Sequence, residues 1–350
     1  MIARIYNKAR SELQKIRQAT SISRAIYQDY KKFKKLGITP DRSVFAMRQL
    51  FVLTNSRSNE IFSRLVRKPQ YQHKSYPGVF QDLSKEGIAD FLKAMHSKGF
   101  YIFKQTLSDQ FVEDMVRFAS TTPARVLEQR DDGEIVYSKE KKIIDFQNPV
   151  SPRYQFENDD ILSSPEVQAL IFDESILNLS QLYLNTAPYF DVLAMWWSLP
   201  FGGVGKSEAA QMYHFDLDKM KFIKFFFYLS DVDSQSGPHC YVTHTHHGVP
   251  ADICKDGRQE DEEIERAVGK ERMVEICGKK GTIIAVDTRG LHKGKELTKG
   301  YRLLFQTMFS DSLFGANYPD FDLRKIAQPG REVISKYPEA FKKFKIKRPD

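Results

Sequence analysis

The sequence predicts an α+β chain with a mainly β core, a sandwich or barrel of short antiparallel strands flanked by helices and preceded by an N-terminal helical extension. Three features carry this. Apolar residues recur at helical spacing through the first 66 positions. Helix and strand signals then alternate from about 84. After 188 come five short apolar stretches broken by Gly, Pro and Asp: YFDVLAMWWSLP, QMYHFDLDKMKFIKFFFYLSDVD, GPHCYVTHTHHG, KGTIIAVDTRGLHKG and YRLLFQTMFSD. With 350 residues, 41% hydrophobic, 26 of them Phe and 16 Tyr, the chain can bury a sizeable core and is not a disordered polymer.

In the extension, Ile2, Ile5, Ala9, Leu13 and Ile16 form a stripe with Lys and Arg between them, and Ile26, Tyr30, Phe33 and Leu36 continue it. LGITPD breaks the pattern, a second helix covers about 42–66, and RKPQYQHKSYPG reads as a linker. Residues 1–75 hold 17 Lys/Arg and 4 Asp/Glu, a net +13 in a chain of formal charge +8, so the rest is mildly acidic. Two readings fit: this segment meets an anionic partner (a membrane surface, a nucleic acid or an acidic protein), or it packs on the body with a solvated basic face.

Further on, LSKEGIADFLKAMHSKGFYIFKQTLSDQFVEDMVRFAST reads as helix, strand and helix, with Ser108 as the cap of the second helix. Residues 125–165 are polar and read as loop-rich, and PEVQALIFDESILNLSQLYL reads as a helix. An acidic insertion at 250–275 interrupts the strands as a surface helix or lid. The expected division is 1–75 for the extension, 76–320 for the central domain and 321–350 for a basic tail ending KKFKIKRPD.

Cys240, Cys254 and Cys277 show no CxxC spacing, and an odd count excludes full internal pairing, so reduced thiols in a cytoplasmic protein are the simplest reading. No apolar run approaches the ~18 residues that span a bilayer. No secretory signal opens the chain. If the basic helices meet lipid, they do so from the membrane's periphery.

The chemistry is concentrated in a few residues. Residues i and i+2 of a strand share a face, so His214 and Asp216 project together. Both suit a borderline divalent metal, and a distant strand must bring the third ligand. The best fit is His292, just after the apolar GTIIAV. Two histidines and one carboxylate with open positions are the donor set of non-haem Fe(II) oxygenases. Ten residues on, Arg302 opens YRLLFQ, sharing a face with Leu304 and Gln306. An arginine aimed into an apolar barrel is costly unless an anion meets it. A carboxylate does so through a bidentate fork. The dicarboxylate 2-oxoglutarate fits: its 2-oxo acid end chelates iron and its far carboxylate reaches Arg302.

HxD, a distant His and an Arg about ten residues later resemble the Fe(II)/2-oxoglutarate-dependent dioxygenases of the double-stranded β-helix fold. SEAAQMYHFDLDKMKFIKFFFYLSDVD, SGPHCYVTHTHHG and LSKEGIADFLKAMHSKGFYIFKQTLSD resemble the phytanoyl-CoA dioxygenase-like group within them. The resemblance covers roughly 84–315. It departs from the group where Thr243, His244 and Thr245 replace Pro-Gly-Ser. It implies a jelly-roll (cupin-like) barrel, with Fe(II), 2-oxoglutarate and O2 acting on a small-molecule or acyl substrate. The implied reaction is hydroxylation with release of succinate and CO2, although desaturation and cyclisation use the same ligands.

Lys224 and Tyr228 are in phase with His214 and Asp216 and either touch the cosubstrate or cap the strand. Gln211 is out of phase and reaches the cosubstrate only if the chain bends. His246 stands where the group's loop histidine falls, either fixing that loop beside iron or sitting in a polar strand end. His239, His244, His246 and His247 with Cys240 and Cys254 do not match a zinc framework. Trp196 and Trp197 face opposite sides of a strand, and Trp197 is taken as the pocket residue. The alternative to an enzyme is a membrane- or nucleic-acid-docking protein whose barrel is a non-catalytic metal-binding or sensor module.

Overall fold

The computed structural model describes residues 2–130, 134–201 and 211–347. Ser207–Ala210 of the HxD lead-in and the last three residues of the basic C-terminus lie outside them.

The extension is three helices: α1 (Ile2–Leu36), α2 (Asp41–Thr54) and α3 (Arg57–Leu65). The expected second helix divides at Asn55 and Ser56, both with positive φ (48° and 71°). Asn is one of the few residues that end a helix in this conformation. Asp29 ties α1 to α2 by accepting from Arg42 Nε (2.8 Å) and Ser43 Oγ (2.9 Å). Only the later part of the apolar stripe packs on the body: Ile26, with Met47 and Leu50 of α2, buries against Met220 and Phe314, and Ile22, Tyr30 and Phe33 lie beside them, whereas Leu13, Ile16 and Leu36 are exposed. Arg48 meets Asp218 at 3.0 Å.

The next elements are α4 (Lys85–Ser97), β1 (Phe100–Thr106) and α5 (Asp109–Thr121). Ser108 caps α5 as expected, accepting from Phe111 N. Ser108→Ala will cost about 1 kcal/mol of stability, read as a shift of the urea midpoint.

The stretch 125–165 corrects the sequence reading. It contains β2 (Ala124–Gln129), β3 (Ile135–Lys142), β4 (Arg153–Gln155) and the turn of helix α6 (Asn158–Ile161). The strands close one end of a sheet, where the outward positions of β3 are charged, and that polarity masks the strand signal. PEVQALIFDESILNLSQLYL divides into α7 (Pro165–Ile171) and α8 (Glu174–Leu184). Asp173 caps α8, accepting from Ile176 N (2.9 Å) and Val79 N (2.8 Å).

The remaining elements are β5 (Tyr189–Ser198), β6 (Phe222–Tyr228), β7 (His239–Val242), α9 (Asp261–Val268), β8 (Met273–Ile276), β9 (Thr282–Val286), β10 (His292–Gly294), β11 (Arg302–Ser310), β12 (Phe321–Asp322), α10 (Gln328–Lys336) and β13 (Phe344–Lys345). Eight strands form one antiparallel sheet in the order β1-β9-β6-β11-β5-β4-β2-β3, and β10-β7-β8 form a second. The core is thus antiparallel β with flanking helices. The two sheets face each other without a closed barrel among the described residues.

Alternation along the large sheet separates two cores. Its outer face (Trp197, Phe225, Phe227, Leu303, Phe305) packs against α4, α5, α7 and α8. Its inner face (Trp196, Phe226, Tyr228, Ile284, Leu304) meets Tyr241 and Ile276 of the small sheet. The C-terminal segment is more than a basic tail: Phe321, Phe341 and Phe344 surround Phe190 in the outer core.

Candidate metal centre

The continuous strand expected from Gln211 to Asp233 is interrupted. Only Phe222–Tyr228 belong to the sheet, because Asp218 and Lys219 turn to partners off it. Lys219 Nζ, buried, donates to the carbonyls of Leu313 (2.9 Å) and Ala316 (2.8 Å) and pairs with Asp191 at 3.2 Å. The segment before β6 forms its own short ladder. Tyr213 bridges Gln259, and His214 bridges His292 with both backbone hydrogen bonds at 3.0 Å. Asp216 N donates to Thr288 O at 2.9 Å. His214 and His292 are therefore directly opposed, and Asp216 lies one pleat further on the same face.

The turn that brings His292 is built for close approach. Gly290 lies so near Tyr241 that a Cβ there would be 2.1 Å from the phenol oxygen. Tyr241 donates to Asp287 O (2.8 Å), and Leu291 N donates to Thr245 Oγ1 (2.9 Å). Beneath the turn, fully buried Arg289 pairs with fully buried Asp287 (2.6 Å) and reaches Glu60 of α3 (3.2 Å). Tyr183 also donates to Asp287. The extension thereby contributes a charge to the support of the turn that carries His292.

One ligand atom from each of His214, Asp216 and His292 lies within 4.8 Å of the others. His214 Nε2 is 3.6 Å from Asp216 Oδ1, and His292 Nε2 is 3.3 Å from Oδ2. Each imidazole is oriented by its other nitrogen: His214 Nδ1 meets Met212 O and His292 Nδ1 meets Gly290 O, both at 2.9 Å. A carbonyl can only accept, so Nδ1 carries a proton on each ring, which leaves Nε2 as the atom a metal would take. Burial, then His292, pulls His214 down to about 3, so it stays neutral at physiological pH. Burial alone would raise the Asp216 carboxyl, but Lys224 and the two imidazoles hold it well below the ordinary range. The donor set fits a divalent ion with neutral nitrogens, one anionic oxygen and open positions.

The other expected residues divide. Lys224 joins the cluster, its Nζ donating to Asp216 Oδ2 at 2.6 Å. Arg302 is buried on the same inner face, further along the sheet. It donates to Gly237 O and to Ser198 Oγ (3.2 Å), while its Nε has no partner. Tyr228 is also buried inside, but its hydroxyl donates to Ile276 O (2.8 Å) and accepts from His239 N (3.1 Å). Gln211 makes no side-chain hydrogen bond among the described residues and sits half-buried on the lead-in. His246 is buried against α4, facing His96 O at 3.2 Å, and is not among the grouped ligands.

Trp197 is a correction. It lies in the outer core, donating to Ala119 O, because Ser198 pairs with Arg302 and fixes the phase of β5. The inward tryptophan is Trp196. The acidic insertion forms α9, whose Ile264 and Val268 pack with Phe51, Phe215 and Leu217 beneath the HxD segment.

Two inner residues were not assigned to this site from the sequence: His239, weighed there only as part of a zinc cluster, and Arg153. His239 is fully buried 5.4 Å from the His292 ring, with its Nε2 unpartnered. Arg153 lies across Ser198 from Arg302, stacked on Trp196 at 4.3 Å. His239 carried a sequence signal, alternation with Tyr241. Arg153 carried none, since β4 is three residues long.

No family model matches the chain, and no curated protein matches it. Solved structures resemble it in part. AviO1 from Streptomyces viridochromogenes is 13% identical with a TM-score of 0.43, covering 68% of this chain and 99% of that one. HygX from Streptomyces hygroscopicus, with nickel, 2-oxoglutarate and hygromycin B bound, is 16% identical with a TM-score of 0.45, covering 67% and 89%. The epimerase SnoN, in complex with Fe3+, alpha ketoglutarate and nogalamycin RO, is 14% identical with a TM-score of 0.44, covering 65% and 85%.

Proposed function

We propose that the chain is an Fe(II)- and 2-oxoglutarate-dependent oxygenase of the jelly-roll kind, hydroxylating a small-molecule substrate. The observation that carries this is the pairing of two features on one interior. His214, Asp216 and His292 converge with both Nε2 atoms turned toward the carboxylate, and the same face carries buried Arg302 and half-buried Arg153 with no carboxylate in ion-pair range among the described residues. A buried guanidinium with no counter-charge, as at Arg302, is expensive. A dicarboxylate that spans from the metal ligands to Arg302 would offset that cost.

In this reading His214, Asp216 and His292 hold iron, which supplies activation of O2 coupled to decarboxylation of 2-oxoglutarate. Lys224 fixes the Asp216 carboxylate by holding one oxygen. Arg302, whose guanidinium burial pulls down to about 10, still carries its charge at neutral pH and anchors the far carboxylate. Trp196, Phe226 and Leu304 exclude water from the space between the sheets. The proposed reaction is hydroxylation, and the stretches that resemble the phytanoyl-CoA dioxygenase-like group support it.

Arg302→Gln will weaken 2-oxoglutarate by about 10–100-fold, the cost of one to two charge-assisted hydrogen bonds, while leaving metal affinity unchanged. Calorimetric titration of the Mn(II)-loaded protein with 2-oxoglutarate measures it. Equal affinity in the variant removes Arg302 from the cosubstrate site.

A further inference from the structure

A second cavity, of about 420 Å3, opens at the seam of the extension, β5 and the C-terminal segment. Four cations from three stretches line it: Lys34 at the end of α1, Arg67 and Lys68 after α3, and Lys342 before β13. Lys68 is the informative one. Its Nζ is buried and has no hydrogen-bond partner, resting instead 3.4 Å from the centre of the Tyr189 ring. Lys342 Nζ stands 4.5 Å from the same ring. Lys342 forms a long, exposed ion pair with Glu339 (3.9 Å), and among the described residues no ion pair forms with Lys34, Arg67 or Lys68.

Two ammoniums on one ring repel each other. Burial, then Lys342, pulls Lys68 down to about 8, a strain that a bound anion would relieve. One carboxylate, Asp311, also lines the cavity, and burial pushes it up to about 6. Four positive groups against two acids, Asp311 in the lining and Glu339 beside Lys342, leave a net positive hollow of small-molecule size.

We infer that this cavity is a binding site for a phosphate monoester, its dianion held between Lys68, Lys342 and the Arg67 fork. The planar guanidinium matches phosphate oxygens bidentately while the lysines act as point charges. Tyr30, Phe33 and Tyr189 offer an aromatic wall to the rest of the ligand. The site is separate from the metal centre and does not depend on the reading of that centre. A soluble phosphate ester and a phosphomonoester lipid headgroup share this chemistry.

The test is calorimetric titration of the full chain at fixed ionic strength with inorganic phosphate and then glycerol 1-phosphate. Saturable 1:1 binding is expected. Lys68→Gln and Lys342→Gln should each weaken it about tenfold or more, the loss of one charge-assisted contact. Lys15→Gln, on the exposed part of α1, should leave it unchanged. Vesicles of phosphatidylcholine with phosphatidic acid, against phosphatidylserine at equal charge, separate the sources. Lys68-dependent preference for phosphatidic acid assigns the lipid, and binding of glycerol 1-phosphate without that preference assigns the soluble ester. Should Lys68→Gln misfold, Lys342→Gln and protection of wild-type Lys68 from amine acylation by phosphate decide the matter. Absence of saturable binding, equal loss in Lys15→Gln, or unprotected Lys68 overturns the site.

Discussion

Asp216→Ala will abolish stoichiometric Fe(II) binding. Asp216 supplies the only anionic donor of the grouped ligands, and Lys224 Nζ lies 2.6 Å from its Oδ2. Removing the carboxylate strips the site of its negative charge and leaves an ammonium facing the two imidazoles, so the incoming cation meets net repulsion. The loss should exceed about 100-fold, the upper end of what outer-shell changes cost a metal site. Competition with a chromophoric chelator under anaerobic conditions measures it. An affinity within a few-fold of wild type would mean that the three side chains do not form a metal site.

The second large effect falls on stability. Arg289→Met will destabilise the fold by about 3–5 kcal/mol, because it strands the Asp287 carboxylate in the interior. Arg289 and Asp287 are both fully buried, and Asp287 also accepts from Tyr183. Burial opposes the Asp287 charge, yet Arg289 holds its carboxyl well below the ordinary range, so the lone variant faces a choice between a buried anion and a forced proton. Urea unfolding of the metal-free protein reads the loss directly. Adding Asp287→Asn should recover part of it, since the two changes share one interaction. A loss below 1 kcal/mol would mean the pair is dispensable to the turn that carries His292.

Much of the site was legible because its signals are local. The i, i+2 spacing of His214 and Asp216 brings both to one face even though they lie in a short bridge, not in the main strand. His292 and Arg302 each adjoin an apolar strand, which locates them without knowledge of the topology. The extension's stripe and the Ser108 cap were equally readable. What escaped depends on long-range register. Trp196 and Trp197 are indistinguishable until Ser198 is paired with Arg302, and that pairing turns Trp196 inward. Arg153 enters the site through a three-residue strand in a stretch whose charges resemble a loop. The support of Asp287 and Arg289 by Glu60 joins residues more than two hundred positions apart, beyond any periodicity argument.

Anaerobic addition of 2-oxoglutarate to the Fe(II)-loaded protein, followed by visible absorption, tests the central claim most directly. A metal-to-ligand charge-transfer band is expected in the wild type, needing higher 2-oxoglutarate to saturate in Arg302→Gln and absent in Asp216→Ala. Iron bound stoichiometrically with no band at any 2-oxoglutarate concentration would contradict it.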